Sequence, residues 1–177
     1  MKRLVTFVVA TFMLAAVVHV ASVWAYPRII MSVVMKKIGG NNPANAFTHM
    51  PLPTDKARGV VRPSPDLAYS VCIVDLTKGP VHIRVPLTAP YTSVALYTTA
   101  TDNYFVRNDR DTGGKDLDLI VLAPGASKPA DAPAGAEIVE APTAKSLVLV
   151  RRVAESAAAY ATIDHIRTKS ICAPFQG

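Results

Sequence analysis

The side chains best equipped for chemistry lie in one strip, Tyr97-Thr-Thr-Ala-Thr-Asp-Asn-Tyr-Phe-Val-Arg-Asn108. Tyr97, Asp102, Asn103, Tyr104 and Arg107 combine two aromatic faces, a carboxylate, an amide and a guanidinium. Gathered at a strand end, such a set lines a polar cleft that stacks a small ligand and orients it by hydrogen bonds. The same residues can equally satisfy one another within strands and a turn. The acid-rich loop that follows, Asn108-Asp-Arg-Asp-Thr-Gly-Gly-Lys-Asp-Leu-Asp118, is the best metal candidate. Asp109, Asp111 and Gly114 fall at the first, third and sixth places of a calcium loop. The pattern then fails. Gly113 stands at the fifth place, Ile120 stands at the twelfth where a bidentate Glu belongs, and Arg110 and Lys115 offset the charge. A Gly-Gly turn carrying solvated charges is the stronger reading, and no metal is expected.

His49, His82 and His165 are scattered, with no HxxxH or HExxH spacing to bind a metal. No GxSxG elbow, phosphate-cradling glycine loop, SxxK or dinucleotide fingerprint occurs. A Ser/His/Asp triad could assemble only from distant positions, and nothing marks one serine as a nucleophile. The sequence therefore supplies no catalytic motif and no expectation of a cofactor. Cys72 and Cys172 are too far apart for a CxxC redox site or a metal knuckle. They form either a disulfide or two separate buried thiols, and the membrane-targeting segment in front of them favours the disulfide.

That segment, Leu4 to Trp24, has no Asp, Glu, Lys or Arg. As a helix its 21 residues rise about 31 Å, the hydrocarbon thickness of a bilayer. Met1-Lys2-Arg3 provides the basic front end of a signal or signal-anchor. The span exceeds the apolar core of a cleavable leader, which favours a retained anchor. Val23-Trp24-Ala25 nevertheless offers a small-x-small cleavage site. Beyond Pro27, expected to kink or restart the helix, Ile30, Val33, Val34 and Ile38 share a helical face. This second segment is expected to lie in the interface, with Lys36 and Lys37 among headgroups and Trp24 and Tyr26 in the aromatic belt. His19, near the outer end of the span, reads as a neutral snorkelling imidazole. The lipid bilayer is thus the first partner expected.

The formal charge of +6 invites a nucleic-acid reading, but its distribution argues otherwise. Residues 1–40 hold five basic side chains and no acidic one, whereas the other 137 residues are almost balanced. The basicity flanks the apolar segment, where it suits anionic lipid, and no nucleic-acid partner is expected. The charge count on either side of the span does not decide orientation. The leader-like start and the expected disulfide do: a cytoplasmic N-terminus at the inner membrane, with the domain in the periplasm or exterior.

Three regions follow: a membrane anchor with its interfacial helix at 1–38, a Pro/Gly/Asn-rich tether at 39–66, and a β-rich domain at 67–177. Strand patterns cover Tyr69–Asp75, Val81–Val85, Tyr91–Thr99, Asn103–Arg107, Leu117–Leu122 and Ser146–Arg151. Ala123 to Gly135 reads as a long surface loop, and Glu155 to Lys169 as a helix with Tyr160, Ile163 and Ile166 on one stripe. The predicted fold is mainly β: an antiparallel sandwich-like domain with a C-terminal helix, preceded by a transmembrane helix.

Asp66-Leu-Ala-Tyr-Ser-Val-Cys-Ile-Val-Asp-Leu-Thr-Lys-Gly-Pro-Val-His-Ile-Arg-Val-Pro86 resembles the core signature of the bacterial DUF1254 family, in which a tyrosine-containing strand leads into D-L-x-x-G-P-V. Tyr91-Thr-Ser-Val-Ala-Leu-Tyr97, Asp102-Asn-Tyr-Phe105 and Asn108-Asp109 resemble its next block. The likeness spans residues 45–122 well and the C-terminus loosely. It implies a β-rich fold and an envelope location. Short anchored members also pair a cysteine in the first strand with one near the C-terminus, matching Cys72 and Cys172. Larger relatives carry a companion domain that this chain is too short to include. The resemblance brings no activity and no catalytic residue. The leading expectation is a single-pass envelope protein that binds or assembles with a companion protein. The alternative is an extracytoplasmic enzyme or small-ligand binder using a cleft around Tyr97, Asp102, Tyr104 and Arg107.

Overall fold

A computed structural model describes residues 1–40, 42–54, 56, 63–88 and 90–176. It begins with a single helix, α1 (Lys2–Gly39), whose 38 residues extend about 57 Å. α1 is long and apolar enough to cross a membrane. Pro27 sits inside α1 without ending it. Proline removes one backbone donor there, and close by the Arg28 guanidinium donates to the Trp24 carbonyl at 2.6 Å.

Among the described residues nine strands follow: β1 (Phe47–His49), β2 (Leu67–Asp75), β3 (Val81–Val85), β4 (Thr92–Thr98), β5 (Asn103–Asn108), β6 (Leu117–Leu122), β7 (Glu137–Glu140), β8 (Lys145–Val153) and β9 (Ile171–Pro174). Helix α2 (Ala157–Arg167) lies between the last two. One sheet has the order β1-β2-β8-β4-β5 and the other β7-β6-β3-β9. All pairings are antiparallel except β6 with β7, which run parallel after the long 123–136 connection. Every strand the alternation predicts is present, to within two residues at its ends. β1 falls inside the stretch read as a tether, and residues 41, 55 and 57–62 of that stretch lie outside the described residues.

Strand alternation supplies the core. Val74, Val94, Leu96, Val148 and Val150 from the five-stranded sheet meet Val81, Ile83, Val85, Leu119 and Val121 from the four-stranded one. Burying such a side chain is worth about 1.5–3 kcal/mol, and this facing set is the main source of stability. Cys72 on β2 and Cys172 on β9 lie in the same layer and form a disulfide, S–S 2.06 Å, that ties one sheet to the other.

The outer face of the five-stranded sheet is covered by α1. Met31, Val34, Met35 and Ile38 pack over Val71, Leu147, Leu149, Tyr97 and Met50. Its last two turns lie on the sheet, with Val34 and Ile38 of the expected apolar face turned inward beside Met31 and Met35, while Ile30 and Val33 stay exposed. The physical reason is that an apolar helix stripe and an apolar outer sheet face bury each other at no polar cost. α2 starts on Ser156, whose hydroxyl accepts from Ala159 N at 3.1 Å. Its predicted stripe of Tyr160, Ile163 and Ile166 closes one end of the sandwich against Ala68, Ala154 and Leu52.

Candidate functional site

The five cleft candidates occupy separate surroundings. Tyr97 stands on the outer face of its sheet beneath α1. Tyr104 points the other way, packs on the core and donates its hydroxyl to Ser146 Oγ at 3.0 Å. Burial pushes the Tyr104 phenol above its ordinary range. A register shift between Leu96 and Tyr97 places Asn103 opposite Tyr97, and the Asn103 amide donates to the Leu96 and Phe105 carbonyls, both at 3.2 Å. Asp102 closes the β4–β5 turn by accepting from Thr98 Oγ1. Thr101 in that turn has φ 74°, a left-handed conformation that a β-branched residue rarely adopts. Arg107 reaches across the edge of the sandwich to Glu137 on β7, with Nη2–Oε2 at 2.9 Å and Nε–Oε1 at 3.2 Å, and its guanidinium covers the Phe105 ring. Of the five, Asp102 alone borders an open cleft of about 530 Å³ between the turn and α1. His19, Val20, Trp24, Pro27 and Arg28 form its helix wall, with the Arg28 guanidinium 4.2 Å from the Trp24 ring centre.

The acidic loop spends its carboxylates on neighbouring groups: Asp116 pairs with Arg84 and Asp118 with His82 on β3, and the other two hold backbone amides. Asp109 Oδ1 accepts from Thr92 N at 3.2 Å, and Asp111 Oδ2 accepts from Asn108 N at 2.9 Å. Gly113 and Gly114, at φ 62° and 77°, make the turn. Among the described residues no three His, Cys, Asp or Glu side chains come together as a metal site. His82 lies on the outer face of the smaller sheet, 2.7 Å from Asp118. His165 is exposed on α2.

The densest polar arrangement lies at the end of the sandwich closed by α2, and the sequence reading did not isolate it. Arg152 on β8 pairs in register with Ala68 and Thr92 and points between the sheets, fully buried. Its Nη2 donates to the Pro86 carbonyl at 3.3 Å and to Ser170 Oγ at 3.1 Å. Among the described residues its Nε and Nη1 find no partner. Arg167, also buried, comes from the last turn of α2. It donates to the carbonyls of Met50 (2.6 Å) and Tyr69 (3.2 Å), to the Tyr160 hydroxyl (2.8 Å) and to Asp164 (2.7 Å). His49 Nδ1 lies 2.8 Å from Ser70 Oγ.

Burial, then the charges of Arg167 and Arg152, hold the His49 imidazole below its usual pKa, against a smaller opposing pull from Asp164. The Ser70–His49 contact does not make a nucleophile. Ser70 is fully buried, and guanidinium groups rather than a carboxylate dominate the field at the imidazole. Burial, with Arg167 nearby, draws the Arg152 guanidinium down to about 10, so it stays charged at neutral pH. One signal for this cluster was present in the sequence: strand alternation through Leu147–Val153 forces one of Arg151 and Arg152 to face inward.

The family described as "Protein of unknown function (DUF1254)" matches residues 44–174. The chain belongs to the DUF1254 family. Two solved structures resemble this DUF1254 chain. The VPA0106 protein from Vibrio parahaemolyticus superposes with a TM-score of 0.69 at 15% identity, over 87% of this chain and 37% of that one. An uncharacterised protein from Burkholderia cenocepacia gives 0.46 at 12% identity, over 76% of this chain and 37% of its own. The first likeness is one of fold. This DUF1254 chain thus spans little more than a third of the length of either structure. Among curated proteins none matches the sequence.

Proposed function

We propose that this DUF1254 protein is a single-pass protein of the inner (cytoplasmic) membrane whose sandwich faces the periplasm or exterior and binds or assembles with a companion envelope protein. The observation that carries the reading is the docking of α1. Its apolar first half is long enough for a bilayer, and its last turns pack on the five-stranded sheet. Anchor and domain are therefore joined by buried apolar surface, which suits a module held at a set height and attitude over the membrane. The Cys72–Cys172 bond supports an oxidising compartment. The unbroken helix through Val23-Trp24-Ala25 supports a retained anchor, because a protease needs extended backbone at its cleavage site. The greater length of the Vibrio parahaemolyticus protein supports a companion, since the fold occurs there beside much further chain. The rival reading, an enzyme or small-ligand binder built on Tyr97, Asp102, Tyr104 and Arg107, draws no support from their separate placements.

A membrane-impermeant maleimide applied to intact cells carrying Lys78→Cys, an exposed position, tests the proposal, since Cys72 and Cys172 are buried. Labelling of intact cells, at full-length mass, is the expected result. Labelling only after lysis would place the domain in the cytoplasm and sink the reading.

A further inference from the structure

The end of the sandwich under α2 concentrates positive charge where proteins rarely leave it unbalanced. Arg152 and Arg167 are both buried, and among the described residues the carboxylate paired there is Asp164, whose side chain is 47% exposed and binds Arg167. Every nitrogen of Arg167 has a protein partner, so its role is to add charge and hold the α2 end in place. Arg152 is different. Among the described residues its Nε and Nη1 donors are orphaned, although the side chain is fully buried. An orphaned, charged donor in a desolvated site is among the costliest arrangements a fold can hold, and a hydrogen-bonded anion relieves it. Nearby hydroxyls fit the same role. Thr88, two residues past the Pro86 carbonyl that Arg152 uses, has a buried Oγ1 with no partner among the described residues, and Ser170 Oγ already meets Arg152. Thr88 is tied by two hydrogen bonds to Thr92, the register partner of Arg152.

We propose that this end of the sandwich is an oxyanion-binding site, in which Arg152, with the charge of Arg167 and the imidazole of His49 beside it, takes one carboxylate or phosphoryl group. Charge selects an anion, and the planar N–H donors of a guanidinium select oxygen acceptors of that kind. Close burial restricts the ligand to a small anion, or to the anionic tip of a larger one. The site is independent of the partner proposed above. It sits at the Thr92 end of β4, six residues and about 20 Å from the turn that meets α1.

The test uses the full chain in a zwitterionic detergent, with inorganic phosphate, acetate or sodium chloride titrated at constant ionic strength. A third arm adds anionic phosphatidylglycerol without free phosphate. Thermal unfolding and the His49 imidazole NMR shift are followed together. The expected result is a saturable rise in midpoint of several degrees with phosphate or acetate but not chloride. An upward move of the His49 titration should accompany it, as a bound negative charge offsets the two guanidinium groups. A response confined to phosphatidylglycerol would assign the oxyanion to a headgroup. Arg152→Met should weaken binding at least about ten-fold, the loss of one charge-assisted contact. Should that variant fail to fold, Thr88→Val and the wild-type His49 titration carry the test. Equal responses to all three salts with an unmoved His49 titration would overturn the proposal, as would an undiminished response in Arg152→Met.

Discussion

Breaking the Cys72–Cys172 bond should cost this domain more than any other two-atom change. The bond joins β2 of one sheet to β9 of the other across 100 residues of chain. Without it, the unfolded chain regains the entropy of a loop of that length, about 4–5 kcal/mol on the chain-entropy model. Total stabilities of about 5–15 kcal/mol make that a large share. At about 2–4 °C per kcal/mol for a domain of this size, the melting point should fall by roughly 8–20 °C. Cys72→Ala, Cys172→Ala and the double variant, compared by thermal circular dichroism in detergent with and without reductant, separate linkage from packing. Either single substitution already opens the loop, so the double should cost little more than one single, and the cycle should show a coupling of about 4 kcal/mol. Both sulfurs are buried, so each alanine adds a small cavity term to that figure. Additive single effects, together with a wild-type melt indifferent to reductant, would refute the reasoning.

Three further outcomes are expected. Ile83→Ala opens a cavity between the sheets at a fully buried position and should cost about 2–5 kcal/mol in urea denaturation; a loss below about 1 kcal/mol would mean that the two sheets close over the gap. Met31→Glu puts a charge under α1 against Val71 and Leu147 and should free the helix, broadening the distance distribution between spin labels at Ser32→Cys and Lys78→Cys while the strand signal persists; an unchanged distribution would deny that packing sets the attitude of the domain. His49 gives a pH signature in buffers free of phosphate and carboxylate. Its folded pKa lies below 6.5, so the unfolded chain binds more protons, and stability should be complete above about pH 6.5 and fall as pH drops toward the folded value; His49→Gln should flatten that limb, and an identical slope in the variant would deny the shift.

Periodic segments were legible because a local pattern suffices for them. β3 and β4 alternate along their own length, β2 is rich in strand-forming residues, β6 and β8 are apolar runs of strand length, and the α2 stripe repeats at helical spacing. β1, β7 and β9 were not read as strands, because each has only three or four residues and exists through hydrogen bonds to a neighbour distant in the chain. The candidate strip at 97–107 was found as a cluster of chemical types. Alternation across β4 and the register shift at Tyr97 then sent its tyrosines to opposite faces.

What the sequence by itself determined is local: an apolar helix of bilayer length, a β-rich domain, the family, and two cysteines able to pair. Helix length, strand period and composition act between near neighbours, and a linear chain displays them directly. The tertiary structure decided the rest. It laid the end of α1 on a sheet, scattered the expected cleft, and brought His49, Arg152 and Arg167 to one buried end from β1, β8 and α2. Those placements depend on which distant surfaces bury each other and which charges lose their water, quantities that exist only once the chain has closed on itself.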